Sequence, residues 1–187
     1  INSSHLAVGV SGGADSMALC ILAASWGRSN GVAVTALVVD HGLRASSSSE
    51  ARVVGSWLKR LAIPFEILTI KQPKPTTGIQ EKARRWRFLE FDKWCRANSV
   101  NLVLLGHTLN DQIETLFMRI SADTGPDGLS GMLNYTRVRG LIIARPLLSV
   151  TKKRLIATCN HHNQTWINDP SNLDERFTRV FWRNLKP

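Results

Sequence analysis

The sequence has little of what marks secreted, membrane-spanning or metal-cluster proteins. It contains only three cysteines, Cys20, Cys95 and Cys159, and none of them belongs to a C-x-x-C pair. Widely spaced cysteines in odd number argue against a disulfide framework and against a cysteine-rich metal site. No apolar run approaches the roughly 20 residues that a membrane-spanning helix needs, and no secretory signal is visible. These absences favour a globular protein of a reducing compartment, with no membrane partner.

Acidic residues are also scarce. The chain has 14 Asp and Glu against 24 Lys and Arg, which gives a formal net charge of +10. The excess is concentrated in residues 137–187, which hold ten basic and three acidic residues. A basic C-terminal third predicts a polyanionic partner, of which nucleic acid is the commonest; a solvated basic surface is the alternative.

Apolar, β-branched runs alternate with segments of helical character along the chain. The predicted strands are residues 5–10, 32–40, 64–70, 101–107 and 141–148. The predicted helices are residues 15–26, 49–61, 79–98, 110–121 and 151–163. Continuous apolar runs are typical of strands buried on both faces of a parallel sheet, and the helices between them have the length of crossover connections. We therefore predict an α/β fold, a doubly wound, mostly parallel sheet with helices on both faces, formed by residues 1–187 as one domain.

Four polar clusters lie at or beyond the ends of predicted strands. They are "SGGADS" (11–16), "DHGLR" (40–44), "GHTLND" (106–111) and "ARPLL" (144–148). Open α/β sheets bind their ligands at the carboxyl ends of the strands. Each cluster alone is equally well a polar loop, but four at one edge of the sheet predict a common site.

The first cluster has the glycines of a phosphate-binding loop without the pattern of the common ones. Gly12 and Gly13 allow close approach to the backbone, and the following helix directs free N–H groups at the loop. The loop lacks the lysine of the Walker motif, and Ser11 stands where the dinucleotide fingerprint needs its second glycine. Asp15 would repel phosphate unless a cation lies between them, which predicts Mg-ATP as the ligand. Helix capping is the alternative role of Asp15.

These motifs together resemble a known family. "SGGADS" matches the S-G-G-x-D-S signature of the PP-loop ATP pyrophosphatase superfamily, whose members cleave ATP between the α- and β-phosphates. The rest of the chain resembles tRNA(Ile)-lysidine synthase over nearly its whole length. The segments that carry this resemblance, in order, are "VVDHGLRASSSSEA" (38–51), "EKARRWRF" (81–88), "LGHTLNDQIET" (105–115), "GPDGLSGM" (125–132), "ARPLLSVTK" (144–152) and "INDPSN" (167–172). The resemblance implies the PP-loop, adenine nucleotide alpha hydrolase-like fold.

The resemblance also implies the reaction of an ATP-dependent ligase. The C2 oxygen of the wobble cytidine, in an isoleucine tRNA with a CAU anticodon, attacks the α-phosphate of ATP and pyrophosphate leaves. The ε-amine of free L-lysine then displaces AMP from the adenylated base, which yields lysidine. The expected partners are this tRNA and L-lysine, and the expected cofactors are ATP and Mg²⁺.

The resemblance assigns expected roles to individual residues. Asp15 and Asp111 are expected to be catalytic and to bind the metal. The expected ATP-binding residues are Ser11, Gly12, Gly13, Ala14, Asp15, Ser16, Asp40, His41, Arg84, Gly106 and His107. The expected tRNA-binding residues are Arg145, Lys152, Lys153, Arg179 and Arg183. Alternatives from the residues alone are strand-end capping for Asp40 and a solvated basic helix face for Arg84 and Arg87.

The chain departs from the family pattern at several points. Asn110 stands where many relatives have a first aspartate, and Ala122 and Asp123 replace a usual Arg-Gly pair, which argues against RNA contact by that loop. The C-terminal tRNA-binding domains that many members carry are absent from this chain. Because the first residue is Ile1, we expect an excised catalytic domain from the cytoplasm, or from an organelle matrix such as the mitochondrion if a targeting peptide was removed.

Two other functions remain open from the sequence. The first is another PP-loop tRNA-modifying activity such as thiolation, although thiolases with this loop typically carry paired cysteines that this chain lacks. The second is a non-catalytic module that binds ATP and RNA.

Overall fold

A computed structural model describes residues 4–121 and 130–168. Strands and helices alternate along these two ranges. The strands are β1 (His5–Val10), β2 (Ala33–Asp40), β3 (Phe65–Thr69), β4 (Leu102–Leu105), β5 (Tyr135–Val138) and β6 (Leu141–Ala144). The helices are α1 (Ala14–Asn30), α2 (Ser47–Arg60), α3 (Ile79–Ala97), α4 (Leu109–Ser121) and α5 (Lys152–His161). Among the described helices, none combines the length and the apolar character that spanning a bilayer requires.

The strands form one six-stranded sheet in the order β3-β2-β1-β4-β6-β5. Every neighbouring pair is parallel except β5 with β6, which is antiparallel. In the centre of the sheet, Val8 of β1 lies opposite Ala36 of β2 and Leu104 of β4. The strand order therefore reverses between β1 and β4, where a doubly wound sheet opens its ligand-binding crevice. The predicted doubly wound, mostly parallel fold is confirmed.

The central strands are buried on both faces, as their continuous apolar runs predict. Val8 and Val38 belong to a core that α1, α2 and α5 complete with residues such as Met17, Leu58 and Leu155. Their strand neighbours Ala7 and Leu37 belong to a second core, against α3. Successive side chains of a strand point to opposite faces of the sheet, so one apolar run supplies both cores.

The antiparallel strand β5 was not predicted. It joins β6 through the two-residue turn Arg139-Gly140, in which both residues have positive φ angles, +54° and +91°. Such turns match the twist of a hairpin and favour glycine in one of the two positions. Tyr135–Val138 alternates between exposed and half-buried residues, so it forms no apolar run, and the glycine was its only local signal.

Two predicted boundaries were wrong by four residues each. Helix α1 continues four residues beyond the predicted end at Trp26, to Asn30, because its C-cap is Gly31 with φ +66°, whose N–H donates to Gly27 O. Strand β6 ends at Ala144, before the predicted end at 148, and residues 145–148 form the connection towards α5.

Candidate active site

A cleft of about 880 Å³ opens at the carboxyl ends of β1, β2 and β4. It lies at the point where the strand order reverses, and residues of three predicted polar clusters line it together. The lining includes Ser11, Gly13, Ala14, Asp15, Ser16, His41, Arg87, Gly106, His107, Asp111 and Lys152. The common site that the sequence predicts at this edge of the sheet is therefore present as a cavity.

The loop after β1 is held by the side chain of Ser16. Ser16 Oγ donates to Gly13 O at 3.0 Å, and it accepts the Ser11 backbone N–H at 3.1 Å. The Ser11 Oγ atom also lies 3.1 Å from Ser16 Oγ. Ser16 is buried, whereas Ser11 is exposed. In the described structure Ser16 therefore fixes the shape of the loop, and Ser11 is the serine open to a ligand.

Glycine occupies positions 12 and 13 of the loop for different physical reasons. Gly12 has a φ of +85°, and a Cβ atom there would lie 2.7 Å from Val54 Cγ2, so conformation and space both require glycine. A Cβ on Gly13 would meet only Ser11 Oγ, at 3.7 Å. Gly13 is also the N-cap of α1 and supplies no side-chain cap, so the positive end of α1 reaches the cleft without a capping side chain.

Gly106 allows β4 to approach the start of α1. A Cβ atom at this position would lie 3.1 Å from the carbonyl carbon and oxygen of Asp15 and 3.2 Å from Ser16 Cα. These are backbone atoms, which cannot turn away as a flexible side chain would. A larger residue at position 106 would therefore push the end of β4 away from the first turn of α1.

Asp15 forms an ion pair with a residue far away in the sequence. Lys152 Nζ lies 3.8 Å from Asp15 Oδ2, and the two side chains are 45% and 23% exposed. The backbone N–H of Lys152 donates to Asn110 Oδ1 at 3.1 Å. Asn110, which departs from the family pattern, thus serves as a cap for α5. No local sequence signal links Lys152 to Asp15.

Asp111 is engaged in a capping box at the start of α4. Its Oδ2 atom accepts the Thr108 backbone N–H at 2.8 Å and the Thr108 hydroxyl at 2.7 Å. The sequence signal is the T-x-x-D pattern of residues 108–111, which sequence reasoning missed. Asp111 lines the cleft nevertheless, so capping fixes the carboxylate at the site. Glu114, one turn later, is buried.

Asp40 has the bonds of a strand-end cap. Its Oδ1 accepts the Gly42 N–H at 3.0 Å, its Oδ2 accepts the Ser48 hydroxyl at 2.6 Å, and the residue is buried. The next residue, His41, lines the cleft. Burial, and then the charge of Arg87, lower the pKa of His41 to about 4, although Asp40 acts in the opposite direction. His41 is therefore neutral at pH 7, and ATP contact by Asp40 stays a prediction.

Helix α3 contributes arginine side chains at and beside the cleft. The guanidinium groups of Arg84 and Arg87 lie 5.1 Å and 5.7 Å from the ring centroid of Phe88. Burial, and then Arg84, lower the pKa of Arg87 to about 10. Its buried Nε atom has no hydrogen-bond partner among the described residues. Arg87 lines the cleft, whereas Arg84 is exposed next to it, so ATP contact by Arg84 stays a prediction.

The pKa of His107 is affected by charged residues of both signs. Burial lowers its pKa to about 4; Asp111 opposes that shift, and Arg145, Arg87 and Arg84 add to it. A neutral imidazole between one carboxylate and three guanidinium groups accepts or donates hydrogen bonds without adding charge. The cleft is thus lined by charges of both signs. Acidic side chains are present at the starts of α1 and α4, and cationic side chains are present on α3 and α5.

The predicted tRNA-binding residues are in different environments. Arg145 is buried, and its Nη1 atom donates to Leu133 O at 2.9 Å and to Thr136 Oγ1 at 3.1 Å, so it supports the β5–β6 hairpin. Lys152 and Lys153 are exposed at the start of α5. Arg179 and Arg183 lie outside the described residues, as do Ala122 and Asp123. RNA contact stays a prediction for the five candidates, Arg145, Lys152, Lys153, Arg179 and Arg183.

The residues of the cleft fit a nucleotide with Mg²⁺. Mg²⁺ is usually bound by one or two carboxylates together with substrate phosphates and water, and Asp15 and Asp111 both line the cleft. Among residues 4–121 and 130–168 no group of three or more His, Cys, Asp or Glu side chains is placed to hold a metal. An open helix terminus, a glycine cradle and two carboxylates suit a metal held jointly with phosphate.

Comparison with known proteins identifies the family. The ATP-binding PP-loop domain matches residues 1–186. The chain belongs to this PP-loop family. Among curated proteins, it is 41% identical over 184 residues to the tRNA(Ile)-lysidine synthase of Rhodopseudomonas palustris and 42% identical to that of Bradyrhizobium diazoefficiens. These alignments cover 97% of the chain and 53% and 51% of the two relatives, so the chain spans about half the length of the curated relatives it matches.

Solved PP-loop and related structures share the fold at low sequence identity. The U34-tRNA thiolase NcsA from Methanococcus maripaludis, solved with its 4Fe-4S cluster, has a TM-score of 0.79 and 16% identity, over 99% of this chain and 66% of that one. A phosphoadenylyl-sulfate reductase from Candida auris has a TM-score of 0.51 and 12% identity, over 86% of this chain and 74% of that one. These likenesses support the fold class.

Proposed function

We propose that the chain is the catalytic PP-loop domain of a tRNA(Ile)-lysidine synthase. The observation that carries the proposal is the placement of the "SGGADS" loop, Asp15 and Asp111 around one cleft where the strand order reverses. The identity of 41–42% to curated lysidine synthases supports this choice among PP-loop activities. The proposed substrates are ATP, L-lysine and an isoleucine tRNA with a CAU anticodon, and the proposed product is lysidine at the wobble position.

The proposed chemistry has two steps. In the first, the C2 oxygen of cytidine forms a bond to the α-phosphorus of ATP, and the bond from that phosphorus to the β-phosphate oxygen breaks, which releases pyrophosphate. In the second, the ε-amine of lysine forms a bond to C2, the bond from C2 to oxygen breaks, and AMP leaves with both electrons. The neutral amine loses one proton in this step, for which Asp111 is the proposed acceptor. Both steps need a polar site that neutralises phosphate charge and positions the reactants.

The residues of the cleft supply these needs. The N–H groups at the start of α1 and the Ser11 hydroxyl are proposed to bind phosphate oxygens. Asp15 and Asp111 are proposed to hold Mg²⁺, which supplies charge neutralisation at the phosphates when bound. Asp111 is also the carboxylate proposed to accept a proton from the lysine amine, because the Thr108 bonds fix it at the edge of the cleft. Arg87 and neutral His107 are proposed to contact phosphate oxygens.

The proposal is tested by pyrophosphate release and by incorporation of labelled lysine into RNA. The reaction contains ATP, Mg²⁺, L-lysine and the CAU-anticodon isoleucine tRNA, and each component is omitted in turn. We expect release and incorporation to require the complete mixture, and both to be lost in Asp15→Asn and Asp111→Asn. Glu66→Gln, at an exposed position of β3, is the matched control and should remain active. Pyrophosphate release without lysine incorporation would identify a different PP-loop reaction.

A thiolase is the alternative enzyme, and the cysteines argue against it. All three cysteines of the sequence are fully buried. Burial raises the pKa of Cys20 and of Cys95 to about 12, and burial also raises the pKa of Cys159. Buried thiols with raised pKa values are poor nucleophiles and poor metal ligands. A requirement for a sulfur donor in place of lysine would nevertheless select this alternative.

The domain organisation and location form part of the same proposal. Residues 1–187 are proposed to be one catalytic domain, and its basic third, residues 137–187, is proposed to face the tRNA. The reaction is proposed to take place where tRNA is processed, in the cytoplasm or in an organelle matrix. Tight tRNA binding is expected to need the tRNA-binding domains that many family members carry beyond the catalytic domain.

A further inference from the structure

The ion pair between Lys152 and Asp15 joins two residues far apart in the sequence at the "SGGADS" loop. Lys152 is the first residue of α5, and Asp15 is in the first turn of α1. Both residues line the cleft. The "SGGADS" loop lacks the lysine by which Walker loops contact phosphate. In space, α5 brings a lysine to the same loop, where its ammonium group lies 3.8 Å from Asp15 Oδ2.

The pair does little for the stability of the fold. Its single contact is 3.8 Å long, and the lysine side chain is 45% exposed. Exposed pairs of this kind contribute about 0–1 kcal/mol. A cation in the first turn of a helix is also disfavoured by the helix dipole. A stabilising role therefore does not explain Lys152.

The backbone of Lys152 is fixed while its side chain can exchange partners. The Lys152 N–H donates to Asn110 Oδ1 at 3.1 Å, and the Leu109 N–H donates to Val150 O at 3.0 Å. These bonds fasten the start of α5 to the start of α4. The backbone of Lys152 is therefore fixed at the cleft, whereas its ammonium group makes one weak contact, with Asp15 Oδ2.

We propose that Lys152 is a phosphate-binding residue of the nucleotide site, which pairs with Asp15 until a triphosphate is bound. This inference rests on the proposed function for the identity of the ligand. It replaces the tRNA contact that the sequence suggests for Lys152. When a nucleotide binds, the Asp15 carboxylate turns to the metal, and the ammonium group donates to β- or γ-phosphate oxygens. AMP, which lacks these phosphates, has no contact with Lys152.

The test is direct binding of two nucleotides to Lys152→Gln. The probes are AMP and an ATP analogue with a methylene group between the α- and β-phosphates, each measured by calorimetry at fixed Mg²⁺. Charge-assisted hydrogen bonds contribute about 1.5–3 kcal/mol, so we expect the affinity of the analogue to fall about tenfold or more. We expect the affinity of AMP to change less than twofold, and Lys152→Arg to restore most of the loss.

Arg154→Gln is the matched control. It removes one positive charge from the same exposed turn of α5, outside the cleft lining, and should leave both affinities unchanged. Equal binding of the analogue to wild type and Lys152→Gln would overturn the inference, as would an equal loss in Arg154→Gln. Neither result depends on lysine incorporation, so the inference can fail while the proposed function holds. If the wild-type protein binds neither nucleotide, both fail.

Discussion

Asn110 and Lys152 are joined by a hydrogen bond of 3.1 Å between the Asn110 side-chain oxygen and the Lys152 backbone N–H. This bond connects the first turns of α4 and α5, two helices that start at the same edge of the sheet. The Asn110 side chain thus offers an oxygen acceptor to the open end of α5, and an aspartate side chain at this position would offer one as well.

Replacing Asn110 with alanine should destabilise the protein. The lost cap is expected to lower the free energy of unfolding by about 1 kcal/mol. Asn110→Asp keeps the acceptor and adds a negative charge at a helix N-terminus, so its stability should equal or exceed that of the wild type. Urea denaturation of the three proteins measures this. An unchanged alanine variant would show that the bond does not stabilise the fold.

Two glycines at the cleft should respond differently to alanine. In Gly106→Ala the new methyl group meets backbone atoms of Asp15 and Ser16, so we expect a loss of about 1–3 kcal/mol in the free energy of unfolding. In Gly13→Ala the methyl group meets only Ser11 Oγ at 3.7 Å, so the loss should be about 1 kcal/mol or less. Thermal unfolding with and without ATP distinguishes the effect of each variant on stability from its effect on ATP binding. Because Gly13 lines the cleft, a methyl group there should crowd a bound nucleotide, and Gly13→Ala should lose most of the stabilisation that ATP gives.

Asp40 can be assigned to the cap or to the nucleotide by one comparison. Asp40→Ala removes the acceptor of two hydrogen bonds at a buried position, and we expect a loss of about 2–3 kcal/mol in stability. Ser48→Ala removes one of the same bonds and should cost about 1 kcal/mol. If Asp40 acts only as a cap, both variants will be less stable and both will keep the ATP affinity of the wild type. A loss of ATP affinity in Asp40→Ala but not in Ser48→Ala would support the predicted role of Asp40 in binding.

His107 should make the fold sensitive to acid. Its pKa is lowered from 6.5 to about 4 in the folded protein, mainly by burial. The unfolded chain therefore binds a proton first as the pH falls, so stability is complete above about pH 6.5 and is lost between pH 6.5 and 4. Denaturation measures the free energy of unfolding at pH 7 and at pH 4.5. The decrease between these two pH values should be about 2 kcal/mol smaller in His107→Asn than in the wild type. An equal drop in both proteins would contradict the shift.

The sequence predicted the parts of the fold that depend on local patterns. Strand β1 has the predicted bounds because its apolar run ends sharply at the polar loop. Strand β5 was missed because it is an edge strand with no apolar run. Of the four polar clusters predicted at one edge of the sheet, those at 11–16, 40–44 and 106–111 contribute to the cleft lining, whereas residues 144–148 do not. Strand β6 ends at Ala144, and Arg145 donates to Leu133 O and Thr136 Oγ1 instead.

Within the site, the sequence indicated residue types better than their partners. Asp111 was a candidate because of its position after β4, but its bonds to Thr108 depend on the exact start of α4. For Lys152 the sequence predicts RNA contact, which stays a prediction, and gives no sign of its ion pair with Asp15. Its contact with Asp15 depends on how α5 packs against α1, which no local pattern encodes.

The bond between the Ile167 N–H and Gly12 O, 2.9 Å long, ties the first loop of the domain to one of its last described residues. Ile167 also borders the space that a side chain on Gly12 would occupy. All six described strands are complete by residue 144, so during translation every one of them leaves the ribosome before Ile167 can make this bond. The bond to the Gly12 carbonyl is therefore among the last contacts of the described residues that a growing chain can form.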